Sequence, residues 1–195
     1  MKPKLLRRVR ALQALMAPAG LDAVLFADRE NCIYYLGTTD IECAAVVIPA
    51  AGDPVACCLW LDAPYVKERS EIEDLLAYRF PASTIGKTIV AALRRLDLAA
   101  PRVGFHKYFV EFGIFDALRQ AFPAMAFLPA MDLTYRVRAV KDQEELALIE
   151  AACAFVDVGM RAAVDALRPG LTEGQVLAEA DYTMRRAGSE GATFR

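Results

Sequence analysis

Few residues in this chain of 195 residues have the types and spacing that catalysis needs. Its one histidine, His106, directly follows the strand-like run 103–105, and ligands of α/β sheets bind at the carboxyl ends of strands. Two interpretations stay open, a structural histidine and a ligand contact. A zinc site of the usual His/Cys kind is not expected with a single histidine.

The segment from Trp60 to Tyr65 is the second candidate, because it places the only tryptophan, an aspartate and a tyrosine at the exit of an apolar run. Asp62 could cap a helix beside packed aromatic rings. Alternatively, Trp60, Asp62 and Tyr65 could form a rim that faces a substrate or a partner. No nucleophile elbow, zinc-binding HExxH motif, dinucleotide fingerprint or complete phosphate-binding loop is present.

The cysteines favour a reducing compartment, and we therefore expect a cytoplasmic protein. Their number is odd, and no pair has the C-x-x-C spacing. We expect them to be small buried apolar residues, with a reactive thiol as the alternative. The five are Cys32, Cys43, Cys57, Cys58 and Cys153.

Helical and strand-like patterns alternate over the first 130 residues, and these predicted elements would hold the candidate residues in place. Leu5, Val9, Leu12 and Met16 recur at helical spacing and predict an amphipathic first helix, with Arg7, Arg8 and Arg10 largely on its wet side. The runs 43–48 and 55–61 flank a turn and predict a hairpin. Strands are also predicted over 21–26, 78–80, 102–105 and 125–128, and helices from Asp62 to 69, over 83–96 and over 109–122, with 28–35 a loop or short helix.

After residue 129 the pattern changes from α/β alternation to helices. Residues 131–141 are basic and predict a short connection. Asp142 and Glu145 form a capping box before a helix of six or seven turns, and Thr172 and Gln175 form another before a second helix. Two helices cannot bury all their apolar surface alone, so this part is expected to be the incomplete start of a second domain. Its exposed apolar face should include some of Ile149, Val156, Met160 and Val176.

Composition excludes two function classes. The chain has 23 basic and 25 acidic residues and a net charge of −2, which does not favour nucleic-acid binding. No apolar run approaches the ~18 residues of a membrane-spanning helix. With 56% hydrophobic and 25% charged residues, the chain can bury a core.

Several segments in order resemble the creatinase, prolidase and aminopeptidase P family, the "pita-bread" metallopeptidases. The run 136–152, RVRAVKDQEELALIEAA, resembles the opening of the family's catalytic domain, and 167–173 (LRPGLTE) and 182–194 (YTMRRAGSEGATF) continue the match. Upstream, 12–25 is similar to the first helix and strand, 30–37 to the N-x-x-Y-L-T-G segment, and 62–65 to the D-x-R-Y segment, with Pro64 where arginine is common.

The resemblance implies a three-layer α/β domain with a mixed sheet over 1–132, followed over 136–195 by the two-helix start of an incomplete pita-bread α+β domain. It also implies an Xaa-Pro peptidase that acts on proline-containing peptides. Two divalent metals, manganese, cobalt or zinc, are expected in the missing catalytic half, because the family's metal ligands lie beyond the segment 191–194. The chain itself is therefore expected to be inactive and to hold no metal.

By the same resemblance, this domain contributes to a homodimer and shapes the entrance of the partner's active site. Trp60, Asp62, Tyr65 and His106 are the candidate rim residues, and Pro64 puts any arginine contact there in doubt. Two alternatives stay open: a non-catalytic binding module of the same family, or a creatinase-like hydrolase of C–N bonds in a non-peptide substrate.

Overall fold

The computed structural model of the chain describes residues 3–39, 44–70, 72–106 and 110–191. The chain divides into two compact units, residues 1–139 and 140–195. The first contains a β-sheet with helices, and the second contains two helices. The predicted strand start at Cys43 and helix start at Phe109 lie outside the described residues.

Within the described ranges, six strands form one mixed sheet in the order β4-β3-β2-β1-β5-β6. The strands are β1 (Ala23–Phe26), β2 (Ala44–Pro49), β3 (Val55–Leu59), β4 (Asp74–Tyr78), β5 (Arg102–Phe105) and β6 (Ala126–Pro129). The helices are α1 (Pro3–Met16), α2 (Arg29–Leu36), α3 (Ala63–Arg69), α4 (Ile85–Arg94), α5 (Phe112–Ala121), α6 (Met131–Ala139), α7 (Gln143–Ala166) and α8 (Glu173–Arg186).

The sheet carries helices on both faces, which confirms the expected three-layer α/β domain. Side chains of α1, α2, α3 and α6 pack into one apolar cluster, and those of α4 and α5 pack into the other. Because both faces are covered, β1 is buried along its whole length and is a continuous apolar run. In β4, Leu75 and Leu76 point to opposite faces and join one cluster each.

The predicted hairpin is confirmed, since β2 and β3 pair antiparallel with Val47 opposite Val55. The strand predicted over 78–80 instead spans Asp74–Tyr78 and pairs parallel with β3. The segment after Tyr78 contains Pro81, whose nitrogen has no hydrogen to donate to a strand ladder.

The connection predicted over 131–141 is wrong, because Met131–Ala139 forms α6. The segment carries three basic residues but also an apolar face with helical spacing. Leu133 and Val137 pack against the first cluster, and the buried Thr134 donates its hydroxyl to the carbonyl of Ala130 at 3.1 Å. This helix closes the first unit.

The amphipathic α1 is confirmed by its four predicted core residues, all buried. Arg8 departs from the predicted wet side. Its guanidinium lies 3.9 Å from the ring centroid of Tyr34 and donates to the Tyr34 carbonyl at 2.6 Å. The long side chain therefore ties α1 to α2 while its neighbours Arg7 and Arg10 are exposed.

Both predicted capping boxes are present in the second unit. The Asp142 carboxylate accepts from the backbone N–H of Glu145, and the Glu145 side chain accepts from the N–H of Asp142. The equivalent reciprocal pair joins Thr172 and Gln175 at the start of α8. These pairs fix where each helix begins.

Candidate functional site

Both sequence-predicted groups lie at one edge of the sheet. Strands β1, β3, β4, β5 and β6 run in the same direction, and only β2 opposes them within the described sheet. Their carboxyl ends therefore share an edge, and Trp60 follows β3 there while His106 follows β5. Strands β2 and β1 lie between them, so the two groups are separated by three strand spacings, about 14 Å. The two groups therefore lie at the same edge of the sheet but do not line a common pocket.

The first group is an exposed aromatic surface beside cationic side chains. The Trp60 side chain is 41% exposed, and the guanidinium of Arg79 lies 3.9 Å from its ring centroid. The backbone places this pair, because the N–H of Trp60 donates to the carbonyl of Tyr78 at 2.9 Å. Tyr65 is 53% exposed, with the Arg69 guanidinium 5.9 Å from its ring centroid.

Asp62 occupies the N-cap position of α3 but does not act as a side-chain cap. Its backbone is helical, with φ −85° and ψ −17°, and its carboxylate makes no capping hydrogen bond. An N-cap side chain reaches the first turn from an extended backbone, which this residue does not have. The predicted side-chain cap at Asp62 is therefore absent.

The sequence did not mark Arg79, because it lies 14 positions beyond the segment that resembles D-x-R-Y. Pro64 occupies the arginine position of that segment. The adjacency of β3 and β4 nevertheless brings a guanidinium to Trp60. The signal that could have found it is an arginine directly after a strand predicted to neighbour β3.

The second group surrounds His106, which is only 7% exposed. Its imidazole meets the ring of Tyr135 on α6 edge-on, with centroids 5.5 Å apart, and lies 6.3 Å from the ring of Phe26. It also lines two adjoining cavities, of about 410 and 340 Å³, on either side of the end of β5. His106 is thus buried at a crevice and does not lie on the exposed rim with Trp60.

A polar network next to this crevice was not predicted. Asp28 caps α2 by accepting from the backbone N–H of Asn31 at 3.1 Å and from its side-chain amide at 2.8 Å. Asn31 is fully buried, and its amide oxygen accepts from Arg138 at 2.9 Å. The Arg138 guanidinium also lies 5.2 Å from the ring centroid of Tyr34. Helices α2 and α6 are therefore joined through side chains 107 positions apart.

The thiols of the first unit are poor candidates for chemistry. Cys32, Cys57 and Cys58 are buried, and burial raises the pKa of Cys57 to about 12 and that of Cys58 to about 11. Burial raises the pKa of Cys32 as well. Thiolates, which are the nucleophilic form, are scarce at such values. The prediction of burial is wrong for Cys153, which is exposed on α7, and Cys43 lies outside the described residues.

The helical hairpin of α7 and α8 displays apolar side chains, as predicted. Met160 is 62% exposed, Val156 and Ile149 are also exposed, and Val176 is half-buried. A groove of about 800 Å³ runs between the two helices, lined mostly by apolar side chains. The helices touch closely at Gly159, where an added Cβ would lie 2.5 Å from Cγ of Met184.

The described residues include neither a metal-binding cluster nor a membrane-spanning helix. No group of three His, Cys, Asp or Glu side chains there is placed to hold a metal ion. Among the same residues, every helix is too short or too polar to cross a bilayer.

Comparison with known proteins gives consistent matches along the chain. The family model described as the creatinase/prolidase N-terminal domain matches residues 8–140. A putative dipeptidase, YkvY, of Bacillus subtilis (strain 168) is 22% identical over 97% of this chain and 53% of its own. Creatinase of Bacillus sp. (strain B-0618) is 24% identical over 95% of this chain and 46% of its own.

Among solved structures, the Xaa-Pro dipeptidase from Bacillus anthracis superposes with a TM-score of 0.82 at 18% identity. The superposition covers 97% of this chain and 51% of the dipeptidase chain. This likeness confirms the predicted fold. The chain spans about half the length of the curated relatives that it matches.

Proposed function

Because the chain belongs to the creatinase/prolidase family through its N-terminal domain, we propose that it forms the amino-terminal part of a two-metal Xaa-Pro peptidase of the prolidase or aminopeptidase P type. The observation that carries this proposal is that nearly the whole chain matches about half the length of dipeptidase relatives. The substrate would be a proline-containing peptide, and the protein would be cytoplasmic, in line with its buried thiols that form no disulfide.

The second unit, residues 140–195, would be the start of the pita-bread catalytic domain. Its exposed apolar side chains at Val156 and Met160 support this assignment, because faces of this kind are normally covered in a folded protein. The sheet of the catalytic domain would cover them. Two divalent metals, manganese, cobalt or zinc, would be held by residues of that domain, where they would supply activation of water and polarisation of the amide carbonyl.

The exposed aromatic surface would form the rim of the partner's active site in a homodimer. Trp60 and Tyr65 offer flat apolar faces, Asp62 offers a carboxylate, and Arg79 supplies the guanidinium that the Pro64 position lacks. An aromatic ring with a guanidinium on its face suits a peptide's apolar side chain and its terminal carboxylate. His106 would contribute packing at the same edge of the sheet and would not contact the substrate, since its side chain is buried.

A creatinase-like activity is the second candidate, and the match to a creatinase favours it. Both candidates hydrolyse a C–N bond and would use the same first unit. They differ in substrate, so assays of hydrolysis with a proline dipeptide and with creatine distinguish the two activities.

The first experiment measures the intact mass of the native protein captured from its source cells. A mass near twice the 21.4 kDa of this chain supports the peptidase proposal. Xaa-Pro dipeptides and creatine are then assayed with added manganese. A native mass of 21.4 kDa would instead favour a non-catalytic binding module, and hydrolysis by the 195-residue chain alone would refute the division of labour between the two halves.

Variants of the longer protein test the rim. Arg79→Ala and Trp60→Ala should each raise KM for the dipeptide about fivefold or more, with little change in kcat, because an exposed aromatic or arginine contact contributes about 1 kcal/mol to binding. Leu98→Ala is the matched control, as it removes an exposed apolar side chain before β5, at the other edge of the sheet. Equal effects of all three variants would contradict a rim role.

A further inference from the structure

A groove of about 820 Å³ lies between α4 and α5, the two helices that pack on one face of the sheet. Gly86 lets the helices come close, since an added Cβ there would lie 2.9 Å from the Cβ of Ala117 and 2.9 Å from the carbonyl oxygen of Gly113. The floor beside this contact is apolar and includes the buried Val90 and the half-buried Ala121. Because the side chains on the floor are small, the groove has room for a large side chain from outside.

The two walls of this groove carry opposite charges. Among the described residues that line it, the charged ones of α4 are Lys87 and Arg94. On the other wall they are Asp116 of α5 and Glu111, which directly precedes that helix. No ion pair joins the two walls within the described part of the chain, and Asp116 accepts only from Gln120 of its own helix, at 2.8 Å. Both walls therefore present charges to a partner.

Two exposed aromatic side chains belong to the same surface. Phe80 is 71% exposed and lines the groove, and Phe112 is 77% exposed and lies in the chain between the lining residues Glu111 and Gly113. They are the most exposed aromatic side chains in the part of the chain that the structure describes. Large aromatic side chains are enriched in protein interfaces, where they fill pockets of the partner. The aromatic rings thus mark this groove as a contact surface independently of its charges.

We propose that this surface binds the same surface of a second copy of the chain. A two-fold axis along the groove turns the second copy so that its α4 faces α5 of the first copy, and its α5 faces α4. The basic wall of each copy then meets the acidic wall of the other. Phe112 of each copy enters the groove of the other. A surface with one basic and one acidic wall is complementary to itself under this rotation, which favours a second copy over a different protein.

The groove adjoins the aromatic rim, so one dimer can use both. Tyr78 and Phe80 line the groove, whereas Arg79 between them lies on the ring of Trp60. The inference rests on the proposed function only in that it assigns a surface to the proposed homodimer. Helices of ten residues are about 15 Å long, so the contact is small, and we expect a weak dimer of the 195-residue chain with a Kd of about 100 µM or below.

The test is sedimentation equilibrium of the 195-residue chain between about 10 and 500 µM, in about 50 mM salt. The variant Lys87→Glu, Arg94→Glu makes both walls acidic. The variant Glu111→Lys, Asp116→Lys makes both walls basic. Each variant alone should dimerise at least tenfold more weakly than the parent chain, because like charges then meet. The control Arg119→Glu reverses an exposed charge of α5 outside the groove and should leave the Kd unchanged.

An equimolar mixture of the two variants gives the decisive result. The acidic surface of one variant is complementary to the basic surface of the other, so the mixture should form a heterodimer with about the affinity of the parent homodimer. Formation of the heterodimer also shows that both variants are folded. A dimer held by the helical hairpin of α7 and α8 would not respond to these charges, so the mixture distinguishes the two surfaces.

A second pair of variants tests the aromatic contact. Phe112→Ala should weaken dimerisation about tenfold without lowering the thermal unfolding midpoint, because the side chain is exposed in the single chain. Leu177→Ala is the matched control, since it removes an exposed apolar side chain from α8. A dimer that responds to Leu177→Ala and not to Phe112→Ala would place the contact on the helical hairpin and overturn the proposal.

Three other results would overturn it. They are a parent chain that stays monomeric up to about 500 µM, variants that dimerise as tightly as the parent chain, and a mixture that forms no heterodimer. None of these measurements uses hydrolysis, so their failure leaves the peptidase proposal standing. Failure of that proposal in the dipeptide assay would in turn leave the association of this surface unaffected.

Discussion

Gly104 in the middle of β5 gives the sharpest test of how α6 packs on the sheet. A Cβ added there would lie 2.8 Å from the Cβ of Ala130, 2.9 Å from Cδ1 of Leu21 and 3.3 Å from Cγ2 of Val24. Ala130 cannot retreat easily, because its N–H donates to the carbonyl of Phe105 at 2.8 Å. Substitution by alanine should therefore push α6 away from β5.

The cost of Gly104→Ala follows from this geometry. The new methyl group would approach the Ala130 methyl group about 0.6 Å closer than the lower limit of ordinary van der Waals contact. Overpacking of this kind costs about 1–3 kcal/mol in a close-packed core. Alanine also restricts the unfolded chain, which offsets up to about 1 kcal/mol. We expect a net loss of roughly 1–2 kcal/mol, or a Tm lowered by about 3–8 °C in a unit of this size.

Tryptophan fluorescence during urea unfolding measures this change without interference from the second unit. Trp60 is the only tryptophan of the chain and lies in the first unit. The control is Gly113→Ala in α5, where an added Cβ meets nothing within 4 Å. That variant should be stabilised by up to about 1 kcal/mol, because alanine favours a helix.

The double variant Gly104→Ala, Ala130→Gly isolates the contact between the two methyl groups. Removing the Ala130 methyl group should cost less in the Gly104→Ala background than in the parent chain. If the free energy of unfolding of Gly104→Ala lies within about 0.5 kcal/mol of that of the parent chain, the inferred close approach of α6 to β5 is wrong. Strictly additive effects would also refute the reasoning.

Three other predictions address the remaining contacts. Cys153 should react with a thiol reagent at pH 8, and Cys153→Ser should remove that reaction, whereas Cys57 should react far more slowly because it is buried and burial raises its pKa to about 12. Gly159→Ala should speed amide hydrogen exchange in α8 because its new Cβ would overlap the Met184 side chain, and adding Met184→Ala should reverse the effect. Arg138→Ala should lower stability by about 1–3 kcal/mol in urea unfolding, since it leaves the buried amide oxygen of Asn31 without its donor, and Arg136→Ala on the same helix should be nearly neutral.

Elements with a strong local signal could be predicted from the sequence. The core face of α1 follows from four apolar residues at helical spacing, and the starts of α7 and α8 follow from their capping boxes. The hairpin follows from two apolar runs around a turn. In each case the decisive contacts join residues close in sequence, so the residue types carry the information.

Predictions failed where a distant neighbour decides the structure. Residues 131–139 are polar enough to be taken for a connection, and they form α6 because Leu133 and Val137 find the apolar cluster on the sheet. The edge strand is shifted toward residue 74 because its register is set by pairing with β3. Arg8 lies on Tyr34 although its position on α1 predicts solvent.

The candidate site divides in the same way. The residue types identified the candidates Trp60, Asp62, Tyr65 and His106. The predicted strand boundaries placed these residues at the ends of strands. The distance between the two groups depends on the strand order, which residue types do not reveal. Burial of His106 depends on Tyr135 and Phe26, which lie 29 and 80 positions away in the chain.

The sequence by itself determined the α/β class, the helical hairpin with its exposed apolar face, and the family resemblance, because periodicity, caps and ordered motifs are local properties of the chain. The tertiary structure alone decided that Arg79 meets Trp60, that Asn31 joins α2 to α6, and that a cavity opens between β1 and β5. Those features come from long-range pairing and from the order of strands in the sheet, which is set by the packing of the whole unit.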